Sequence, residues 1–233
     1  MKRYAFSLVL TIPVTFGAVY PEKRLEDAVT VLQEVMSTPD KSIPQSLLEK
    51  AHCVVIVPGL KKGAFIFGAH YGKGYLTCRN SGREGWSAPA IVRVEGGSFG
   101  FQFGATETDV VLLIMNSRGA DKLMSSQFTL GGTAQAAAGP VGRTASAETD
   151  ALMRAEILSY SRARGVFAGL ALQGATLRED LEANKVMYRR SLTTKEIVAD
   201  AKLQPTPAGE KLIALLSKYS SKERDNASPR TAL

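Results

Sequence analysis

Apolar side chains recur at helical spacing along residues 22–36, with charged side chains between them. The apolar positions are Leu25, Ala28, Val29, Leu32, Val35 and Met36. Because they share one side of a helix, the pattern predicts an amphipathic helix that packs on a core. Residues 206–220 have the same pattern and predict a last amphipathic helix. A short helix is expected to begin at Pro44, since proline fits the first helical turn.

Residues 53–116 have a different pattern, in which short apolar or alternating runs are separated by Gly, Pro and Asn. This pattern predicts successive β-strands. The sequence "YGKG" at 71–74 indicates a tight hairpin between two of them. A brief helix is predicted over 117–125, and residues 151–175 are again strand-like and spaced by glycines.

Residues 176–190 return to helical spacing and predict a helix. The apolar positions on one side of it are Leu177, Leu181 and Val186. No linker interrupts residues 22–218, which therefore predict a single domain. Beyond it the chain is polar, which is typical of a disordered tail over 219–233.

The segment "TLGGTAQAAAGPVGRTA", residues 129–145, is rich in glycine and alanine and raises the question of a phosphate-binding loop. Such a loop needs a lysine directly after its second glycine, but residues 139–143 read Gly-Pro-Val-Gly-Arg. The dinucleotide fingerprint G-x-G-x-x-G is also absent from the chain. The small residues instead indicate close approach of backbones, bends and bulges in a sheet.

The chain carries 29 basic and 22 acidic residues, a net charge of +7. Two of the basic residues, Lys2 and Arg3, precede an apolar run, and together residues 1–19 have the form of a secretory signal. Cleavage after Gly17 or Ala18 would leave a charge of +5 and a periplasmic or secreted protein. The remaining excess suits an anionic surface. Nucleic acid is not an expected partner, because basic clusters interleaved with aromatic residues are missing.

Candidate catalytic motifs do not assemble into a site. "GGSFG" at 96–100 matches a nucleophile elbow, but strand-like sequence follows Ser98 and both histidines precede it. His52 and His70, with the cysteines, lack the paired spacing of a zinc site. Glu107 and Asp109 would face one side of a strand, as acid–base pairs do, yet charges commonly open an apolar strand. The sequence therefore predicts no enzyme, no metal and no cofactor.

Cys53 and Cys78 form an even pair, which can be joined by a disulfide in an oxidising compartment. However, Cys53 begins one predicted strand and Cys78 ends the second strand after it. A simple meander would place them at opposite ends, beyond disulfide reach. Both outcomes stay open.

Five long segments follow one another in a characteristic order: 50–79, 86–116, 128–143, 159–175 and 178–190. In content and order they resemble the SYLF-domain family, and the resemblance covers about residues 25–190. The chain looks like a bacterial, exported member. Where the family commonly has aromatic residues and a glycine after "AN", this chain has "KVMYRR". Residues and resemblance together predict an α+β domain: a strongly curved, antiparallel, barrel-like sheet rich in Gly and Ala, flanked by amphipathic N- and C-terminal helices.

The resemblance implies binding of acidic phospholipids, especially phosphoinositides in eukaryotic relatives, and of actin filaments in some members. We therefore expect a non-enzymatic domain that binds acidic phospholipid surfaces. The alternative is a structural or protein-partner module of the cell envelope. The candidate lipid- or anion-binding residues are Lys61, Lys62, Lys73, Arg143, Arg162 and Arg164.

Overall fold

The computed structural model describes residues 21–37, 42–64, 67–80, 85–99, 104–124, 127–130, 136–142, 155–163, 166–169 and 174–220. They form one α+β domain, as the sequence predicts. The predicted signal over 1–19 lies outside these residues, and so does the predicted tail of 219–233 from residue 221 onward; Tyr219 and Ser220 instead end the last helix.

Six helices are described: α1 (Pro21–Ser37), α2 (Gln45–Lys50), α3 (Ser117–Leu123), α4 (Leu181–Tyr188), α5 (Thr194–Ala199) and α6 (Pro207–Ser220). The described strands are β1 (Cys53–Ala64), β2 (Phe67–Cys78), β3 (Ala90–Phe99), β4 (Gly104–Ile114), β5 (Gln127–Thr129), β6 (Ala136–Ala138), β7 (Ile157–Ala163), β8 (Val166–Gly169) and β9 (Thr176–Glu179).

These strands form one curled, half-barrel sheet in the order β5-β9-β3-β2-β1-β4-β7-β6, with β8 also paired to β7. The pairings are antiparallel, as predicted, except that β6 runs parallel to β7. Successive strand residues point to opposite faces, so the sheet contributes to two apolar clusters. On its helical face, Val54 and Ile56 pack with α1, α2 and α6. On its inner face, Val55 and Val57 pack with α3 and with Leu177 of β9.

Helix α1 confirms the amphipathic prediction. Its buried side chains are Leu25, Ala28, Val31, Leu32 and Val35. Val29 and Met36, which the periodicity also assigned to this side, are partly buried against the same cluster.

The predicted hairpin at 71–74 is wrong, because β2 runs straight through these residues. The glycines there serve close packing instead of a turn. A Cβ on Gly74 would lie 2.7 Å from Val57 Cγ2 and 2.8 Å from the Ile56 carbonyl oxygen. Strand β1 changes its register against β2 between Ile56 and Lys61, and the missing side chain leaves room for this irregular stretch.

The predicted helix over 176–190 is wrong in its first part, since residues 176–179 form β9 and the helix begins after Asp180. The Asp180 carboxylate accepts a hydrogen bond from Ala183 N–H at 3.1 Å and so caps α4. Leu177 consequently points into the inner cluster, whereas Leu181 and Val186 are 48% and 62% exposed.

The glycine- and alanine-rich segment provides close packing where the structure describes it. Gly139 lies against the ring of Tyr160, and a Cβ on it would stand 2.1 Å from Tyr160 Cζ. Its N–H also donates to the Ser159 carbonyl at 3.0 Å. This confirms backbone packing as the role of Gly139.

Cys53 and Cys78 are direct cross-strand partners on β1 and β2 and are joined by a disulfide. The meander argument against this bond is wrong, because the runs between the cysteines merge into two long strands. The start of β1 therefore meets the end of β2.

Arg79 joins the sheet to the ends of two helices. Its guanidinium lies 4.1 Å from the centre of the Trp86 ring. Nη2 donates to the carbonyls of Leu48, Glu49 and Ser220 at 3.4, 3.3 and 3.5 Å. Because helix C-termini carry partial negative charge, this cation stabilises the ends of α2 and α6.

Candidate functional site

A row of polar side chains lies across the helical face of the sheet. Lys61 on β1 is opposite Tyr71 on β2 and Glu107 on β4, and Tyr71 is in turn opposite Glu95 on β3. Directly opposed residues lie on the same face. Lys61 and Glu107 are exposed, and Tyr71 is 47% exposed.

The neighbouring row contains three cations on three adjacent strands. Lys73 is opposite Arg93, and Arg93 is opposite Arg178. Opposed like charges repel, but carboxylates offset them: Lys73 Nζ lies 2.8 Å from Asp180 Oδ2. Glu95 lies 3.4 Å from Arg93 Nη1 and 3.7 Å from Arg178 Nε. We call the two rows together the charged face; its positive and negative charges nearly cancel.

A cleft of about 510 Å³ opens between α1 and the sheet beside this face. Its lining residues are Arg24, Asp27, Thr30, Val31, Glu34, Pro58, Gly59, Glu107, Asp109 and Arg162. The carboxylates outnumber the two arginines, so the cleft is polar and mildly acidic.

Asp109 is the centre of the polar contacts in the cleft. Its Oδ2 accepts hydrogen bonds from Arg162 Nε and Nη2 at 3.0 and 2.7 Å. Its Oδ1 accepts the Gly59 N–H at 2.9 Å. Arg162 also forms an ion pair with Glu34 of α1. These contacts join β1, β4, β7 and α1.

Position 59 requires glycine for two reasons, its backbone conformation and the close approach of Glu107. Its φ of +58° lies in the left-handed region. A Cβ there would also lie 2.4 Å from Glu107 Oε1. The glycine thus allows its N–H to reach Asp109 beneath the Glu107 carboxylate.

Glu107 and Asp109 line the same cleft, as their spacing predicts. Burial raises the pKa of the Asp109 carboxyl, the Gly59 N–H lowers it, and the Glu107 and Asp27 charges raise it. Both Asp109 oxygens already accept hydrogen bonds from the protein. This arrangement is typical of a structural ion pair and not of a general acid–base pair.

The structure brings three of the predicted binding residues, Lys61, Lys73 and Arg162, to one face of the sheet. Lys61 is exposed, while Lys73 and Arg162 are held by carboxylates. The Lys62 backbone belongs to β1, but its side chain lies outside the described part, as do Arg143 and Arg164. A role of these residues in anion binding stays a prediction.

Sequence reasoning missed Asp180 and Glu34, the carboxylates that hold Lys73 and Arg162. Asp180 had a visible signal, since an aspartate before the helical run "LEANKVMY" is a typical N-cap. Glu34 had none, because its partner lies 128 residues away along the chain.

Among the described residues, no group of three or more His, Cys, Asp or Glu side chains could hold a metal ion. Within the same part of the chain, no helix has the length and hydropathy needed to cross a membrane.

Comparison with known proteins assigns the family. The family model described as "Ysc84: Las17-binding protein actin regulator" matches residues 95–219. The chain is 37% identical over 186 residues to an SH3 domain-containing protein of Schizosaccharomyces pombe, covering 78% of this chain and 43% of that protein. It is 35% identical over 182 residues to LAS seventeen-binding protein 3 of Saccharomyces cerevisiae, covering 76% and 39%.

The SH3 domain-containing YSC84-like protein 1 of Rattus norvegicus is 30% identical over 185 residues, covering 79% of this chain and 54% of the relative. The chain thus spans between 39% and 54% of the length of these three relatives. The half-barrel fold, the motif order and these matches together show that the chain belongs to the Ysc84 family of SYLF-domain proteins.

Proposed function

We propose that this chain is a non-enzymatic binding domain for acidic phospholipid surfaces, exported by the signal in residues 1–19. The family model is described as a Las17-binding protein and actin regulator, and one relative is named LAS seventeen-binding protein 3; the family is not a known enzyme family. The chemistry of a lipid-binding surface must therefore come from this chain's own residues.

One positively charged surface supports the proposal. Residues 183–195 contain four basic residues and no acidic residue. These four, Lys185, Arg189, Arg190 and Lys195, are all exposed, and we call them the α4 patch. In the described part of the chain, none of them takes part in an ion pair.

With the flanking carboxylates Glu182 and Glu196 counted against its four cations, the α4 patch keeps a net charge of +2, which suits an anionic bilayer. A basic residue near such a surface contributes about 1 kcal/mol, so four that reach it together contribute several kcal/mol. The charged face supplies less, because its carboxylates offset most of its cations. Lys61 and Arg178 are exposed cations of that face, but Arg178 is paired with Glu95, so Lys61 adds to the attraction singly.

Charge reversal tests the proposal. Residues 20–233 are sedimented with vesicles of phosphatidylcholine containing increasing phosphatidylglycerol or cardiolipin. The variant Lys185→Glu/Arg189→Glu/Arg190→Glu is expected to lose most binding. The matched control Lys50→Glu/Lys202→Glu/Lys211→Glu makes the same charge change at exposed positions elsewhere. Equal loss in both variants would show attraction by net charge alone and contradict a localised surface.

Export has a separate test. We expect the mature chain, purified from the cells that produce it, to begin at Ala18 or Val19. A chain that keeps Met1 and is recovered in the cytoplasmic fraction would contradict export.

A protein partner is the second candidate, favoured by Tyr71. This half-exposed aromatic side chain lies among charges of both signs, a composition more typical of protein interfaces than of lipid contacts. If it marks an interface, Tyr71→Ala should weaken binding to purified Las17 without changing vesicle binding. Unchanged Las17 binding would contradict a role of the charged face in binding a protein partner.

A further inference from the structure

Helix α4 has two distinct sides. Its inward side contains Ala183 and Asn184, which are buried, and Met187 and Tyr188, which are partly buried. Residues three or four apart share a helix side, so the outward side contains Leu181, Glu182, Lys185, Val186 and Arg189. This outward side combines apolar and basic residues, with one carboxylate in the first turn.

The exposed apolar residues on this side are unusual within the described chain. Its markedly exposed large hydrophobic side chains are Tyr71, Leu181 and Val186, and the last two share the outward side of α4. Their helical spacing alone would assign them to a core, but Ala183 and Asn184 occupy that position. The exposure therefore calls for an explanation outside the core.

The helix is firmly seated, so its outward side is presented in a fixed orientation. Asn184 Oδ1 accepts the Ile91 N–H at 2.7 Å, in the manner of a neighbouring strand. Tyr188 Oη donates to the Pro89 carbonyl at 2.6 Å. These contacts join α4 to β3 and to the residue that precedes β3, and neither involves an outward residue.

We infer that α4 lies in the plane of an anionic bilayer surface, with Val186 and Leu181 between the lipid headgroups and Lys185, Arg189 and Arg190 against the phosphates. The inference rests on the proposed lipid-binding function and identifies the contact surface. Charge complementarity selects the occupant, because the four cations of the α4 patch form no described ion pair and exceed the nearby carboxylates Glu182 and Glu196 by two charges. An interfacial helix gains from both its apolar area and its cations.

A tryptophan reporter tests this contact. The chain has a single tryptophan, Trp86, which is 4% exposed and therefore gives a constant background. Val186→Trp introduces a reporter on α4, and Tyr71→Trp introduces a matched one on the charged face. With phosphatidylglycerol vesicles, we expect a blue shift and quenching by brominated lipid for Val186→Trp only.

A second variant separates the apolar contribution from the charge. Val186→Ser should weaken vesicle partition about fivefold, since it removes part of a valine side chain from an apolar environment. The loss should persist at high salt, which screens only the cations. Tyr71→Ser is the matched control and should leave partition unchanged.

The outcomes distinguish this inference from the function on which it rests. The wild-type chain could bind vesicles while the tryptophan at position 186 is not quenched, or while the one at position 71 is quenched instead. Either result overturns the contact surface and leaves lipid binding standing. No vesicle binding at any composition overturns both. Binding to polyglutamate in place of vesicles, abolished by the α4 charge reversal, would assign this surface to an acidic protein and also overturn the inference.

Discussion

Arg162 donates two hydrogen bonds to one oxygen of Asp109, although the two residues are 53 positions apart. The other Asp109 oxygen accepts the Gly59 N–H, and Arg162 continues to Glu34 of α1. A partly buried ion pair thus fixes the first helix over the sheet. It uses a cation that the sequence alone assigns to ligand binding.

Asp109→Asn should lower the free energy of unfolding by about 1–3 kcal/mol, because it removes the more buried of the two carboxylates that hold the Arg162 guanidinium. Glu107→Gln is the matched control, since Glu107 lines the same cleft and forms no ion pair among the described residues. It should change stability by less than about 0.5 kcal/mol. Urea unfolding monitored by circular dichroism measures both, and equal effects would contradict a special role for Asp109.

Arg79→Gln should destabilise the chain by about 1–2 kcal/mol, since it removes the cation that contacts the Trp86 ring and the ends of α2 and α6. Trp86 emission should shift to longer wavelength in the native state. Arg118→Gln, at an exposed position of α3, should change neither quantity. A stable Arg79→Gln protein with unchanged emission would contradict the proposed anchoring.

Gly139→Ala should destabilise by more than about 2 kcal/mol, because its methyl group would overlap the Tyr160 ring. Replacing that ring by a smaller side chain should relieve the clash. We therefore expect Gly139→Ala/Tyr160→Leu to be less destabilised than the sum of the two single variants. Additive effects in thermal unfolding would show that the ring is not what requires glycine.

The capping interaction of the Glu196 carboxylate should stabilise the fold at neutral pH and be lost in acid. The Thr193 N–H and then the Thr193 hydroxyl bond to this carboxylate and lower its pKa below the ordinary value of 4.5. A lowered pKa in the folded state means that the stabilisation is present above pH 4.5 and is lost as pH falls further. The Tm difference between wild type and Glu196→Gln should accordingly shrink in acid. A difference that does not change with pH would contradict this capping interaction.

Local patterns predicted much of the fold. The periodicity of α1 and α6 identified these helices because one side of each faces a core. The capping box of Thr193 and Glu196 is equally local and marks the start of α5, a helix that the predictions from sequence missed.

Other features depended on partners that are distant in the chain. "YGKG" resembles a turn in the sequence. In the structure, Gly74 is required because Val57 and Ile56 of the neighbouring strand pack against it. The disulfide forms because β1 and β2 are long strands. In the sequence, glycines divide each of them into shorter apolar runs, so their true length is not apparent. At the candidate site, Lys61 is exposed as expected, but the carboxylates that hold Lys73 and Arg162 come from elements that only the tertiary fold brings near.

The measurement that tests the central claim most directly is the partition of residues 20–233 onto vesicles as phosphatidylglycerol content rises, at low and at high salt. The account predicts binding that increases with anionic lipid, weakens with salt and largely disappears in the Lys185→Glu/Arg189→Glu/Arg190→Glu variant. Absence of binding at low salt and high anionic content would contradict lipid binding as the function of this domain.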